Sequence, residues 1–299
     1  MSAITQIPEF FTTEFSANWN HLVQQKLSKL REFVVIDRVQ GKEKKYNQMA
    51  SVNMTQITAR AQTTNITDTA MAQRWLRPLQ YEKADLLDEW DAELLGEVSL
   101  PQSELVTNHA MAFARKCDEI ILAAAVGTAS TGATGTTNTV LPAGQKIAHD
   151  FVESGTAATS GLTIAKLRQA KFILDDADVD EDDPRIIAVS PRQLQDLLRT
   201  TEVTSADYNT VKALVAGQLD TFMGFKFRVV NKAFFTLASS RREVVAYVKS
   251  GLRMTDAGRR VHVDIRPDRS HSLQIRTTAS IGATRMEEKK VVQISCSEA

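Results

Sequence analysis

The chain has 299 residues, of which 43% are apolar, 24% charged and only 6% aromatic. That excludes a disordered chain and allows one large domain or two modest ones. Lys plus Arg equals Asp plus Glu at 36 each, so the basic excess expected of a tight, phosphate-neutralising nucleic-acid binder is absent, and self-repulsion between crowded copies is limited.

The N-terminus, MSAITQIPEFF, has neither the basic nor the apolar region of a signal peptide. No apolar run approaches the length of a membrane span, about 18 residues. The segment TEFSANWNHLVQQKLSKLREFV then predicts an amphipathic helix, with Phe15, Trp19, Leu22, Val23, Leu27 and Leu30 at spacings of three and four. Standing at the chain end, it must dock on its own domain or on a neighbouring subunit.

Residues 37–80 are rich in Thr, Gln and Asn, with weak alternation at Val52, Met54 and Ile57. They predict a long β-excursion that cannot bury itself and gains order by lying on something else. Leu86, Leu87, Trp90, Leu94 and Leu95 suggest a short helix. The clearest helix follows over 101–126, with Ser99 and Gln102 at capping-box spacing, Pro101 in the first turn and Gly127 as its stop. At 1.5 Å per residue it is roughly 39 Å long. Its expected buried stripe is Leu105, Ala112, Phe113, Cys117, Ile120, Ile121 and Ala124. TASTGATGTTNT lacks the GxxxxGK[ST] pattern of a phosphate loop and reads as a flexible connector. Gln145–Phe151 reads as a strand.

Residues 161–248 have the pattern of an α/β unit. Thr163 caps a helix with Ile164, Leu167, Ala170, Leu174 and Ala177 inward. Ile186–Val189 is a buried strand, and Ser190, Pro191 and Gln193 open a second helix with Leu194, Leu197 and Leu198 inward. A third helix is expected near Asp207–Ala216, followed by strands FMGFKFRVV and VVAYVKSG. In the tail, Val261, Val263 and Ile265 alternate, as do Leu273, Ile275, Thr277, Ala279 and Ile281. Arg285–Val291 turns into a last strand.

Few residues invite a chemical reading. Seven of the nine positions from Asp175 to Asp183 are acidic, but no register supplies the Gly and Glu of a calcium loop. A solvated helix-to-strand turn is the favoured reading, with pairing to basic groups of a neighbouring subunit as a hypothesis. His21, His109, His149, His262 and His271 lack metal-ligand spacing. Cys117 and Cys296 form no CxxC; Cys117 reads as a buried thiol, and the usage suits a reducing cytoplasm. Arg253, Arg259, Arg260, Arg266, Arg269, Arg276 and Arg285 are diluted by Asp256, Asp264 and Asp268, and read mainly as ion-pair partners. No catalytic, cofactor-binding or metal residue is expected, and no cofactor. An enzyme built on the α/β unit is the alternative of a different class.

Several phrases together resemble one group of proteins. They are QQKLSKLR, RWLRPLQYEKADLLDEWD, ARKCDEIILAAAVGTA, SGLTIAKLRQAKFILDDADV, RIIAVSPRQLQDLL, TEVTSADYNTVKALVAGQLDTFMGFKF and GATRMEEKKVVQI. They run in order over nearly the whole chain, and the block from Leu162 to Phe227 is the most specific. The chain resembles tailed-bacteriophage major capsid proteins of the Hong Kong 97-type capsid fold family. The resemblance implies an α+β fold with an N-arm (1–36), an extended β E-loop (37–92) and a peripheral domain (93–162) containing a spine helix (101–126). An α/β axial domain (163–247) and return strands of the peripheral domain (248–299) complete it. It implies a non-enzymatic virion protein, made in the host bacterial cytoplasm, that self-assembles into hexamers and pentamers of an icosahedral head enclosing double-stranded DNA. Some relatives carry a long N-terminal scaffolding segment, whereas here the N-arm begins almost at Met1, so by analogy a separate scaffolding protein, or removal of a scaffold before maturity, is expected. A portal and a cement or decoration protein are further implied partners, with weak contact to packaged DNA and none to membrane. An encapsulin-type compartment shell is the alternative of the same fold. Lys42, Lys44 and Lys45 lie in the loop that crosslinks in some relatives, but no crosslinking partner is identified.

Overall fold

The computed structural model describes residues 22–64, 66–87, 102–199 and 221–298. Packing divides the chain into two units. The larger comprises Ser28–Gln80, Arg115–Gly258 and Ser280–Ala299, and the smaller Met1–Leu27, Tyr81–Ala114 and Arg259–Ala279. Four elements contribute residues to both: helix α1 (Gln102–Val126) and strands β4 (Leu79–Leu87), β13 (Leu252–Arg266) and β14 (Ser272–Arg285).

The larger unit is built on a mixed sheet. Its strands are β7 (Lys146–Ile147), β8 (Arg185–Val189), β9 (Thr221–Phe222), β10 (Phe225–Val229), β11 (Leu237–Ala238), β12 (Arg241–Val248) and β15 (Val291–Ser297). The order is β7-β15-β12-β8-β10-β9, with β11 on β12. β8 and β10 run parallel, as a crossover requires, whereas β12 is antiparallel to both β8 and β15. All five residues of β8 are buried, the sign of a strand covered on both faces. Helices α2 (Ile164–Asp176) and α3 (Pro191–Leu198) supply the cover on one face. Ile164, Leu167, Ala170, Leu174 and Leu197 join Ile187, Val189, Phe225, Phe227, Val244, Val292 and Ile294 in one apolar core.

Both helix starts follow local rules. The Thr163 side chain accepts from Lys166 N–H, and the Gln193 side chain accepts the Ser190 N–H at 3.0 Å with Pro191 in the first turn. Gly127 stops α1: its N–H bonds Ala123 O at 2.8 Å, and a Cβ there would lie 2.7 Å from that oxygen. Met223 and Gly224 both take positive φ, 53° and 84°, in the two-residue turn joining β9 to β10.

A second sheet in the larger unit has the order β2-β3-β5-β6, from β2 (Lys44–Met49), β3 (Met71–Leu76), β5 (Ala129–Thr131) and β6 (Thr137–Thr139). The small-residue stretch after α1 is therefore a β-hairpin, not a flexible connector. Gly132 and Gly135 supply positive φ at its turn, and Gly135 lies where a Cβ would be 2.7 Å from Trp75 Cγ. The Trp75 indole N–H donates to Gly132 O at 2.7 Å, so β3 fixes the hairpin tip. A third sheet has the order β1-β13-β14-β4, with β1 (Val35–Asp37) parallel to β13 from Val35↔Arg253 to Asp37↔Thr255.

Other differences from the sequence reading have physical causes. Residues 22–30 are irregular, not helical, followed by a 3-10 turn at Arg31–Phe33; Phe15 and Trp19 lie outside the described residues. Leu86 and Leu87 belong to strand β4, and Trp90, Leu94 and Leu95 lie outside the described residues. Of the strand expected over 145–151, only Lys146–Ile147 pairs. Ser99, Pro101 and the helix expected at 207–216 also lie outside the described residues. On α1 the buried line is Met111, Ala114, Cys117, Ile121, Leu122 and Ala125. Leu105, Ala112, Phe113, Ile120 and Ala124 are half-buried. The buried face includes two polar residues, His109 and Asp118, which an apolar-periodicity reading assigns to solvent.

Candidate assembly surfaces

In the larger unit, Asp118 fixes the chain segment leading into β1. Its carboxylate is fully buried and accepts from Ser28 Oγ at 2.5 Å, Lys29 N at 3.0 Å and Leu30 N at 3.1 Å. Two successive backbone N–H groups and a hydroxyl thus converge on one charge, an arrangement that a regular helix through these residues could not offer. Leu30 is fully buried beside it. Asp37 continues the anchor. Burial alone would raise its carboxyl pKa, but hydrogen bonds from Tyr46 and Arg253 hold it below the usual carboxylate value.

The excursion between β2 and β3 has the opposite character. Its base is closed by the six-residue ladder from Lys44↔Leu76 to Met49↔Met71, then by Ala50 N–H to Ala70 O at 2.9 Å. Beyond that bond every described residue from 51 to 70 is exposed and none belongs to a helix or strand. Val52, Met54, Ile57 and Ile66 are 69–103% exposed, so these apolar side chains have little cover among the described residues.

Two buried cations tie distant segments of the larger unit. Arg285 is fully buried and donates to Ala125 O and Gly127 O at 2.8 Å and to Thr139 O at 3.1 Å. It satisfies carbonyls left open at the C-terminus of α1 and clamps them to β6. Burial lowers its pKa, opposed by the Glu288 charge. Lys166 is also fully buried, with burial lowering its ammonium pKa. At the C-terminal end, Glu298 takes a two-oxygen grip from Arg242, at 2.5 and 2.8 Å, and accepts from Gln193 at 2.8 Å. The hydrogen bonds from Arg242 lower its carboxyl pKa.

The acidic run lies in the α2–β8 turn. Asp175, Asp176, Asp178, Asp180, Glu181 and Asp182 are exposed, and Asp178 takes a φ of 53°. Its two ends are tied down: Arg185 bonds Asp175 at 2.5 Å, and Ser250 bonds Asp183 at 2.6 Å. Among the described residues, no three His, Cys, Asp or Glu side chains are grouped to hold a metal ion. Cys117 and Cys296 are free buried thiols. Lys44 lies over the Tyr46 ring and Lys45 over Trp75.

In the smaller unit, the His109 ring lies between Asp85 Oδ2, 2.7 Å from Nε2, and Thr277 Oγ1, 2.9 Å from Nδ1. Arg276 pairs with Glu82. Arg266 pairs with Asp268, pulling that carboxyl down to about 2 through their hydrogen bond. Val261, Val263 and Ile265 line the outer part of β13 and are 37–63% exposed. Leu22, Val23 and Leu27 are 79–107% exposed. His262 and His271 are exposed, and His21 lies outside the described residues. Sequence reasoning missed Asp118, Lys166 and Arg285 as anchors, because each is bound mainly through backbone groups, at least one of them more than 80 positions away in the chain.

The family model described as phage capsid protein matches residues 7–298. No curated protein matches the chain. Among solved structures, a chain from Mycobacterium phage Che8 is 16% identical, covers 98% of this chain and 98% of its own, and has a TM-score of 0.68. The capsid of Cyanophage P-SCSP1u is 14% identical, with coverage of 97% and 94% and a TM-score of 0.72. The capsid of Ralstonia phage GP4 is 10% identical, with coverage of 100% and 98% and a TM-score of 0.72. The fold is the Hong Kong 97-type capsid fold, a mixed α+β architecture.

Proposed function

The chain belongs to the phage capsid protein family, and on that premise we propose that it is the repeating subunit of an icosahedral head, assembled as hexamers and pentamers around double-stranded DNA. It is a structural protein, not an enzyme. Residues 1–36 serve as the N-arm and 37–92 as the E-loop. Residues 93–162, with the spine helix, and the return strands 248–299 form the peripheral domain, and 163–247 form the axial domain. The observation that carries this reading is the excursion from 51 to 70, a long exposed segment with uncovered Val52, Met54, Ile57 and Ile66 on a firmly paired base. Ordering such a segment costs about 1–2 kcal/mol per residue, and contact with sister subunits is the natural compensation. Separate scaffolding and portal proteins, a decoration protein and weak DNA contact through the tail arginines complete the proposal, with synthesis in the host bacterial cytoplasm. Electron microscopy of the purified chain, with and without co-expressed scaffold, tests it. Closed shells of uniform diameter are expected; small particles alone under both conditions would refute it.

A further inference from the structure

Lys166 has a setting that assembly does not explain. Its Nζ lies 2.9 Å from His149 O, 2.9 Å from Ser160 O, 2.9 Å from Gly161 O and 3.1 Å from Ser295 O. An ammonium has three N–H bonds, so four acceptors at these distances surround it as oxygens surround a cation. Among the described residues, its hydrogen-bonding partners are carbonyl oxygens and none is a carboxylate, while the Asp150 charge acts on it only from beyond hydrogen-bonding distance. The four oxygens come from the loop after β7, the loop before α2, and β15.

The cage does not depend on the lysine alone for its shape. Ser160 N–H donates to His149 O at 3.1 Å, and Ser297 N–H donates to Ser160 O at 2.9 Å. The Thr163 cap holds the start of α2. A Cβ on Gly161 would collide with the Asp196 carboxylate, so this backbone runs close against α3. Converging carbonyls held by their own hydrogen bonds are the means by which proteins replace the hydration shell of a monovalent cation.

We infer that the carbonyls of His149, Ser160, Gly161 and Ser295 form a monovalent-cation site whose resident occupant is the protein's own ammonium, Lys166, and which accepts free ammonium or potassium when that side chain is removed. The site latches β15 to the start of α2. This inference stands on the larger unit alone and does not depend on the shell reading.

The test is Lys166→Ala in the full chain, with thermal midpoints measured in ammonium, potassium, lithium and tetramethylammonium chlorides at equal ionic strength. Ammonium and potassium are expected to raise the midpoint of the variant by about 5 °C over lithium and tetramethylammonium, while the native chain responds equally to all four. If the variant does not stay folded, refolding yield in the same salts is the readout, with recovery expected in ammonium and potassium. Lys166→Met, which fills the space with an uncharged chain, is expected to show no ion preference in either measurement. An equal response of Lys166→Ala to all four salts in the measurement it permits, or the same ion preference in Lys166→Met, would overturn the inference.

Discussion

At the residue scale, stability rests on buried charges whose partners are backbone groups. Asp118 accepts three donors from residues 28–30. Asp118→Ala would take the acceptor from the buried Leu30 N–H and from the partly buried Lys29 N–H and Ser28 hydroxyl, at a cost of about 2–3 kcal/mol. Asp118→Asn, which keeps one acceptor oxygen, should cost less. Urea midpoints of dissociated subunits check the order; equal midpoints for all three proteins would contradict it. The two thiols make a separate prediction. Burial pushes Cys117 and Cys296 up to about 12, from an ordinary value of 9.0. Below the ordinary value both folded and unfolded chains keep the protons. Above it the unfolded chain releases protons that the folded chain retains, so stability falls as pH rises toward the folded value. The Cys117→Ala, Cys296→Ala double variant should lose stability less steeply than the native chain between about pH 9 and 11. Parallel urea-midpoint curves would show that the thiols contribute nothing to that slope.

At the scale of elements, the excursion and its base have different jobs. The Ala50–Ala70 hydrogen bond brings its ends together, so a two-residue Asn-Gly turn can replace residues 51–69 without straining β2 or β3. Shortening a loop in this way changes closure entropy by only about 1–2 kcal/mol. The subunit is expected to keep its urea midpoint and secondary structure but to lose shell formation, scored by sedimentation. Shells of normal yield would mean that the excursion is dispensable. The β5–β6 hairpin predicts the reverse. Gly135 has a φ of 69° and touches the Trp75 ring. Gly135→Ala should therefore cost about 1–3 kcal/mol of subunit stability, read as a lower urea midpoint. An unchanged midpoint would show that the turn relaxes without cost.

At the scale of the whole molecule, the sequence was most legible where the determining contacts are local. The Ser190–Gln193 cap, the Thr163 cap, the Gly127 stop and the burial of Ile275, Thr277, Ala279 and Ile281 on one face of β14 follow from neighbours a few residues away. The acidic turn was legible for the same reason. Residues 22–30 were misread because apolar spacing suggested a helix, whereas their conformation is set by Asp118, 90 positions from Ser28. Lys166 and Arg285 were illegible as anchors, since nothing local distinguishes a caged cation from a solvated one. For the excursion, the expectation that residues 37–80 cannot bury themselves holds over 51–70 but not at Leu76, which is fully buried. The strand suggested by Val52, Met54 and Ile57 is absent there, since the ladder ends at Met49 and Met71. The excursion's order in a shell is the central claim, and hydrogen–deuterium exchange of amides 51–69 in dissociated subunits and in assembled particles tests it most directly. Fast exchange in the subunit and slowing by at least about tenfold in the particle, equivalent to about 1.4 kcal/mol, is the expected result. Equal protection in both states, or none in the particle, would contradict it.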